Sequence, residues 1–208
     1  MKNVTLTILF LASTMITCVH AQDVNYFVVK QDSLVGLVDA NGNQIVVPKY
    51  DAIGKFDVAK KDWAQVTKDS LYGFINKNGA EIVAPKYQKI EAFGAQQKDW
   101  ALVTEDGKLG FIDKNGVTTV VPDYDEIQSF DQMRKGWARV RIGDKYGFIN
   151  MQGELVVPVK YHDIESFNVY KKNLAIVKLD GKYGLINIDG KETLPPQFDT
   201  IKPLEGGE

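Results

Sequence analysis

Four lysines, Lys61, Lys98, Lys135 and Lys172, stand 37 residues apart, each near the end of a short polar loop. The loops read "DVAKKD" (57–62), "GAQQKD" (94–99), "DQMRKG" (131–136) and "NVYKKN" (168–173). Lys60, Arg134 and Lys171 add a second cation in three of them. A cation at one fixed place in successive copies of a unit forms a row of positive charge. Such a row suits an anionic partner: lipopolysaccharide phosphate, an acidic glycan or an acidic protein face. The same lysines also keep loops soluble and discourage strand edges from pairing with other chains.

Other chemistries have thinner support. Beyond the first 21 residues the only histidine is His162, in a column that elsewhere holds Asp51, Gln88, Asp125 and Asp199. One histidine makes a poor zinc site. No G-x-S-x-G elbow offers a serine nucleophile. Asp123, Asp125 and Glu126 could pair as glycosidase carboxylates, but acidic clusters are common on a surface carrying 27 Asp and Glu, and they read as solvated faces. The stretch "NKNG" (76–79) resembles neither a calcium loop, which needs several acidic oxygens and a closing glutamate, nor a phosphate loop. It lies between two apolar runs, with an Asx to accept backbone hydrogen bonds and a Gly for positive φ, and so reads as a hairpin turn. No metal or cofactor site is expected.

The elements that position these residues repeat. Gly36, Gly73, Gly110, Gly147 and Gly184 are each 37 residues apart, as are Gly42, Gly79, Gly116, Gly153 and Gly190. Tyr50, Tyr87, Tyr124, Tyr161 and Phe198 form an aromatic column, and Ile53, Ile90, Ile127, Ile164 and Ile201 an aliphatic one. Phe56, Phe93, Phe130 and Phe167 end in Leu204. Tyr26, Trp63, Trp100, Trp137 and Leu174 each open a strand that runs to Val29, Val66, Val103, Val140 or Val177. The units are 26–62, 63–99, 100–136, 137–173 and 174–208, in a single repeat domain, 22–208. Within a unit "WALVTED" (100–106), "LGFID" (109–113) and "TTVVP" (118–122) read as strands, and "DGK" or "DSL" as tight links between units. "YDEIQSF" (124–130) fits an edge strand or one helical turn. Sustained 3.6-residue periodicity is absent, which excludes long helices. The aromatic columns read as core between units, with exposed stacking platforms as the other reading.

Residues 1–21 differ from the rest. Lys2 is followed by the uncharged apolar run "VTLTILFLASTMITCV" (4–19) and by "VHA" (19–21), the pattern of a secretory signal peptide cleaved after Ala21. The run is short for a membrane span, so the mature chain is expected to carry no transmembrane segment. Cys18, the only cysteine, leaves with the leader; a lipoprotein acylated there is the alternative, although Thr17 fits a lipobox poorly. The expected location is periplasmic or secreted. Full-length composition is 44% hydrophobic and 25% charged with a net charge of −2, ordinary for a globular protein and without a global pull towards nucleic acid.

The recurrent "YGFIN", turn glycine, proline, aromatic, Ile and Phe, followed by "W-A-x-V", resembles the WG repeat family of bacterial proteins. The resemblance covers Tyr26 to about Leu204. The family's namesake tryptophan is replaced here by Val35, Tyr72, Leu109, Tyr146 and Tyr183. It implies a β repeat module without assigned catalysis. The expected fold is all-β: five tandem repeats of short antiparallel strands in a twisted open array, with a five-bladed propeller as the alternative. The expected function is non-enzymatic binding of a protein or anionic envelope component, with no nucleic acid partner. The alternative is a carbohydrate-active or hydrolase accessory protein with a site at a repeat junction.

Overall fold

The computed structural model describes residues 25–204, so the leader and Cys18 lie outside the described residues. All regular structure among the described residues is β. The first sheet has three strands, β1 (Tyr26–Gln31), β2 (Leu34–Asp39) and β3 (Gln44–Tyr50). Four sheets of four strands follow. They comprise β4 (Ala52–Phe56), β5 (Trp63–Lys68), β6 (Leu71–Asn76) and β7 (Glu81–Tyr87); then β8 (Lys89–Ile90), β9 (Trp100–Glu105), β10 (Lys108–Asp113) and β11 (Thr118–Tyr124). The last two are β12 (Glu126–Ile127), β13 (Trp137–Ile142), β14 (Lys145–Asn150) and β15 (Leu155–Tyr161); and β16 (Asp163–Ile164), β17 (Leu174–Leu179), β18 (Lys182–Asn187) and β19 (Glu192–Phe198). Every sheet is an antiparallel meander in chain order. The ambiguous "YDEIQSF" segment contributes a two-residue edge strand, β12.

Two turns build each meander. Asp32–Ser33, Asp69–Ser70, Asp106–Gly107 and Asp180–Gly181 have positive φ at both residues, the conformation whose twist matches that of the flanking strands. These "DSL" and "DGK" links join strands inside one sheet, not successive units as the sequence suggested, because the edge strand opening each sheet comes from the end of the preceding repeat. The second turn is the Asx–Gly turn. Asn76 Oδ1 accepts from the backbone N–H groups of Asn78 at 2.9 Å and Ala80 at 3.0 Å. Asp39 Oδ1 does the same for Asn41 and Asn43. The "NKNG" stretch is thus a hairpin turn.

The glycine before the phenylalanine has a steric cause. Opposite Gly73 the pairing jumps from Tyr87 to Val83, so β7 bulges. An added Cβ on Gly73 would lie 2.4 Å from the Val83 carbonyl oxygen and 2.7 Å from Pro85 N. Proline fits in the bulge, where no ladder N–H is required. Pro48 and Pro122 lie in the equivalent bulges, so Pro195 and Pro196 continue a repeated feature and β19 still pairs with β18.

Each sheet has two apolar faces. Ala64, Val66 and Ile75 point back to Leu37, Val46 and Tyr50 of the first sheet. Trp63, Phe74 and Val83 point forward to Ala101, Val103 and Ile112 of the third. The next two junctions repeat the arrangement. Four cores therefore link five sheets. Among the described residues no shared core, hydrogen bond or ion pair joins the first sheet to the last, and the fold is a twisted open array. The described residues include no helix long and apolar enough to cross a membrane.

Polar clasps lock two junctions. The Tyr50 hydroxyl donates to Glu81 Oε1 at 2.6 Å, and Lys49 Nζ reaches the same oxygen at 2.8 Å. Tyr161 and Lys160 hold Glu192 in the same way at 2.7 and 2.9 Å. Burial, aided by the hydrogen bond to Glu81, pushes the Tyr50 phenol up to about 12, so it stays a donor. The Lys49 ammonium above all, and then Tyr50, lower Glu81 below its ordinary 4.5. Tyr161 first and Lys160 second lower Glu192. A carboxylate lowered in the folded state stabilises the fold above its unfolded titration range, and that contribution is lost as pH falls through the folded value. The melting temperature is therefore expected to stay level from neutral pH to about pH 5 and to fall below it. Replacing both Glu81 and Glu192 by Gln should make that acid limb shallower, the remaining lowered carboxylates keeping part of it. The effect is small, up to about 1 kcal/mol per partly exposed clasp.

Candidate binding face

The lysine loops run from the edge strand of each four-stranded sheet to its second strand, which opens with Trp63, Trp100, Trp137 or Leu174. A left-handed residue opens and closes each loop: Asp57 and Asp62, Gly94 and Asp99, Asp131 and Gly136, Asn168 and Asn173. In three of the four loops the first side chain accepts from the backbone N–H of the last, as Asp57 Oδ1 does from Asp62 at 2.5 Å and Asn168 Oδ1 from Asn173 at 2.7 Å; Gly94 instead donates its backbone N–H to the Trp100 carbonyl at 2.8 Å. The loop is thereby closed on itself, and its penultimate residue, the lysine, faces solvent.

The structure divides the seven predicted cations into three groups. Lys60 Nζ lies 4.2 Å from the centre of the Trp63 ring and donates to the Lys114 carbonyl in the next sheet's turn. The Arg134 guanidinium lies 4.4 Å above Trp137 and donates to the Ile188 carbonyl through Nη2 at 3.1 Å. These two belong to the junctions: they cap a tryptophan and tie it to the next unit. Lys171, in the last loop, lines a cavity on the outer face of the last sheet. Lys61, Lys98, Lys135 and Lys172 are all exposed, and none pairs with a carboxylate of the described residues.

Local charge varies along the row. Asp57 and Asp62 flank Lys61, although both carboxylates lie within ion-pair distance of Lys77. Asp99 follows Lys98 and lies 3.4 Å from Lys114. The loop at 131–136 retains a single carboxylate, and the loop at 168–173 has none. The last loop therefore has the largest excess of positive charge. Sequence reading missed this excess, although the Asp-to-Asn exchanges at 168 and 173 carry it.

The other candidates are occupied by the fold. His162 Nδ1 accepts from the Asp180 backbone N–H at 3.2 Å. Asp51, Gln88 and Asp125 accept in the same way from Asp69, Gly107 and Gly143. The column needs an acceptor to close the two-residue hairpin, and Asp, Gln and neutral His all supply one. His162 is half-buried rather than loose on the surface. Asp125 is held by Lys108 at 2.6 Å and by the Gly143 N–H at 2.7 Å, and Glu126 by Gln128 at 3.0 Å and Arg141 at 3.1 Å. Lys108 first lowers Asp125, and Gln128 first lowers Glu126. A glycosidase acid needs the opposite shift.

Trp63 and Trp137 are buried, and Trp100 is half-buried. Each ring packs on two phenylalanines: Trp137 lies 5.5 Å from Phe148 and 5.6 Å, edge-on, from Phe167. Phe130 and Phe167 are buried, whereas Phe56 and Phe93 pack at the margin of their cores. The tryptophan and phenylalanine columns are core and not stacking platforms, and in the tyrosine column Tyr50, Tyr87 and Tyr161 are buried while Phe198 is exposed.

The WG containing repeat family matches five consecutive stretches, residues 36–72, 72–108, 110–146, 146–183 and 183–207. No curated protein matches the chain. One similar solved structure is PorZ, an essential bacterial surface component of the type-IX secretion system of Porphyromonas gingivalis. It shares 10% identity at a TM-score of 0.29, over 88% of this chain and 25% of that one. The chain thus spans a quarter of that protein's length. Since five matched stretches cover nearly all the described sheets, each with the bulge that only a glycine can face, the chain belongs to the WG containing repeat family.

Proposed function

We propose that the chain is an exported, non-catalytic binding module. Its loop lysines Lys61, Lys98, Lys135 and Lys172 engage an anionic protein face or envelope polymer. The observation that carries this reading is the division of labour inside the loops. Lys60 and Arg134 are used by the junctions, whereas the neighbouring Lys61 and Lys135 stay in water, unpaired, at a place the repeat preserves. Export rests on the leader read at residues 1–21. A junction hydrolase has weaker support, because the junction carboxylates Glu81 and Glu192 are both lowered rather than raised.

The test is retention on immobilised heparin and on lipopolysaccharide-bearing vesicles, across a salt series. The unaltered chain is compared with a variant carrying Glu at all four lysines. Each exposed charge contributes roughly 0.2–1 kcal/mol, so the variant should bind on the order of 30-fold more weakly, and salt should weaken the unaltered chain. Equal, salt-insensitive binding by both proteins would remove the lysine row as the functional face.

A further inference from the structure

The two ends of the array are the two halves of one junction. At each internal boundary the edge strand that leaves one repeat pairs with the tryptophan strand of the next sheet. Ile53 faces Val66, Ile90 faces Val103, Ile127 faces Val140, and Ile164 faces Val177. Ile201 is the fifth member of the isoleucine column, and among the described residues it pairs with no strand. Val29 is the first member of the valine column, and the outer edge of its strand β1 also has no described partner. The tail thus carries the segment that elsewhere forms an edge strand, without an acceptor, and the head an acceptor without an edge strand.

The faces match as well. Inside the array a small alanine, such as Ala101 or Ala175, packs in the same core as the large Trp and Phe of the preceding sheet. At the head the alanine column holds Phe27, which is 51% exposed. At the tail the Trp and Phe columns hold Leu174 and Leu185. The loss of two aromatic rings leaves a cavity of about 220 Å³ lined by Leu174, Ile176, Leu185, Ile201 and Pro203. A ring gained on one end answers rings lost on the other. The turn at Gly42 has open space where Gly79 and Gly190 abut the strand of the preceding sheet, so the head also offers an unseated turn.

We propose that a second copy of this chain docks head-to-tail. The strand at Ile201 adds to the outer edge of β1 of the next copy, with Ile201 opposite Val29. Phe27 fills the cavity between Leu174 and Leu185. The Asp39–Gly42 turn seats on β19, and Lys171 reaches the Ala40 carbonyl as Lys60 and Arg134 reach theirs. The contact is heterologous and leaves a free end on each copy, so assembly extends into filaments that carry the lysine row from copy to copy.

The test is sedimentation velocity over a concentration series, using the full chain expressed with its native leader. A ladder of dimers, trimers and longer species is expected. Phe27→Asp blocks the head and Ile201→Asp the tail. Both sites lie outside the closed cores, and unchanged thermal unfolding checks the fold. Each variant alone should be monomeric, and an equimolar mixture should give one 1:1 dimer and nothing larger. Val29→Cys in one copy and Ile201→Cys in another should form an intermolecular disulfide. A monomeric parent chain at every concentration would overturn the proposal. So would dimerisation of either blocked variant alone, which marks a symmetric contact, or assembly that both substitutions leave intact.

Discussion

Alanine in place of Gly79 is expected to cost roughly 2–4 kcal/mol of stability, against about 1 kcal/mol for the same change at Gly42. Both glycines end the same turn with nearly the same backbone, φ +79° and +84°. An L-residue is strained at either place, and that strain is the common part of the cost. The difference lies in the neighbours. A Cβ on Gly79 would lie 2.3 Å from the Ile45 carbonyl oxygen of the preceding sheet, whereas at Gly42 nothing is within 4 Å. A backbone oxygen cannot swing aside, so the first and second sheets must part. Urea unfolding followed by tryptophan fluorescence reads both values. Equal losses would mean that the turns do not seat one repeat on another.

Trp137→Ala should cost about 3–5 kcal/mol, the range for truncating a buried aromatic. Trp137 is 7% exposed, closed in by Phe148 and Phe167 and capped by Arg134. Trp100→Ala should cost less, because that ring is half-buried and Gln97 stands where Lys60 and Arg134 supply a cation to the other two rings. Urea midpoints order the pair. A ring serving as a sugar platform would give the opposite signature: near-normal stability and lost glycan binding.

The fold was legible because its causes are local and recur at a fixed spacing. The Asx and Gly of a turn, the alternation of "WALVTE" and the steric bareness of Gly73 are properties of short stretches, and five copies remove accident as an explanation. What escaped is contact between copies. Nothing near Glu81 in the chain announces Tyr50 and Lys49, which precede it by 31 and 32 residues. The acceptor role of His162 was hidden because Asp, Gln and His look unrelated until the hairpin N–H they share is in view. For the same reason the basic residues looked equivalent in sequence. Only the position of the next sheet's turn carbonyl separates Lys60 and Arg134 from Lys61 and Lys135. The sheet boundaries fall at the aromatic column because hydrogen bonding, not the first recognisable residue of a repeat, sets the unit.

The central claim is that the four free lysines act as one repeated face. It is tested most directly by heparin-binding isotherms for chains with one, two, three and four of them changed to Gln, in different orders. Affinity should fall about 2-fold per lysine whatever the order, with Lys172, in the loop free of carboxylates, giving the largest step. Affinity that survives all four changes, or that vanishes at a single one, would contradict a repeated binding face.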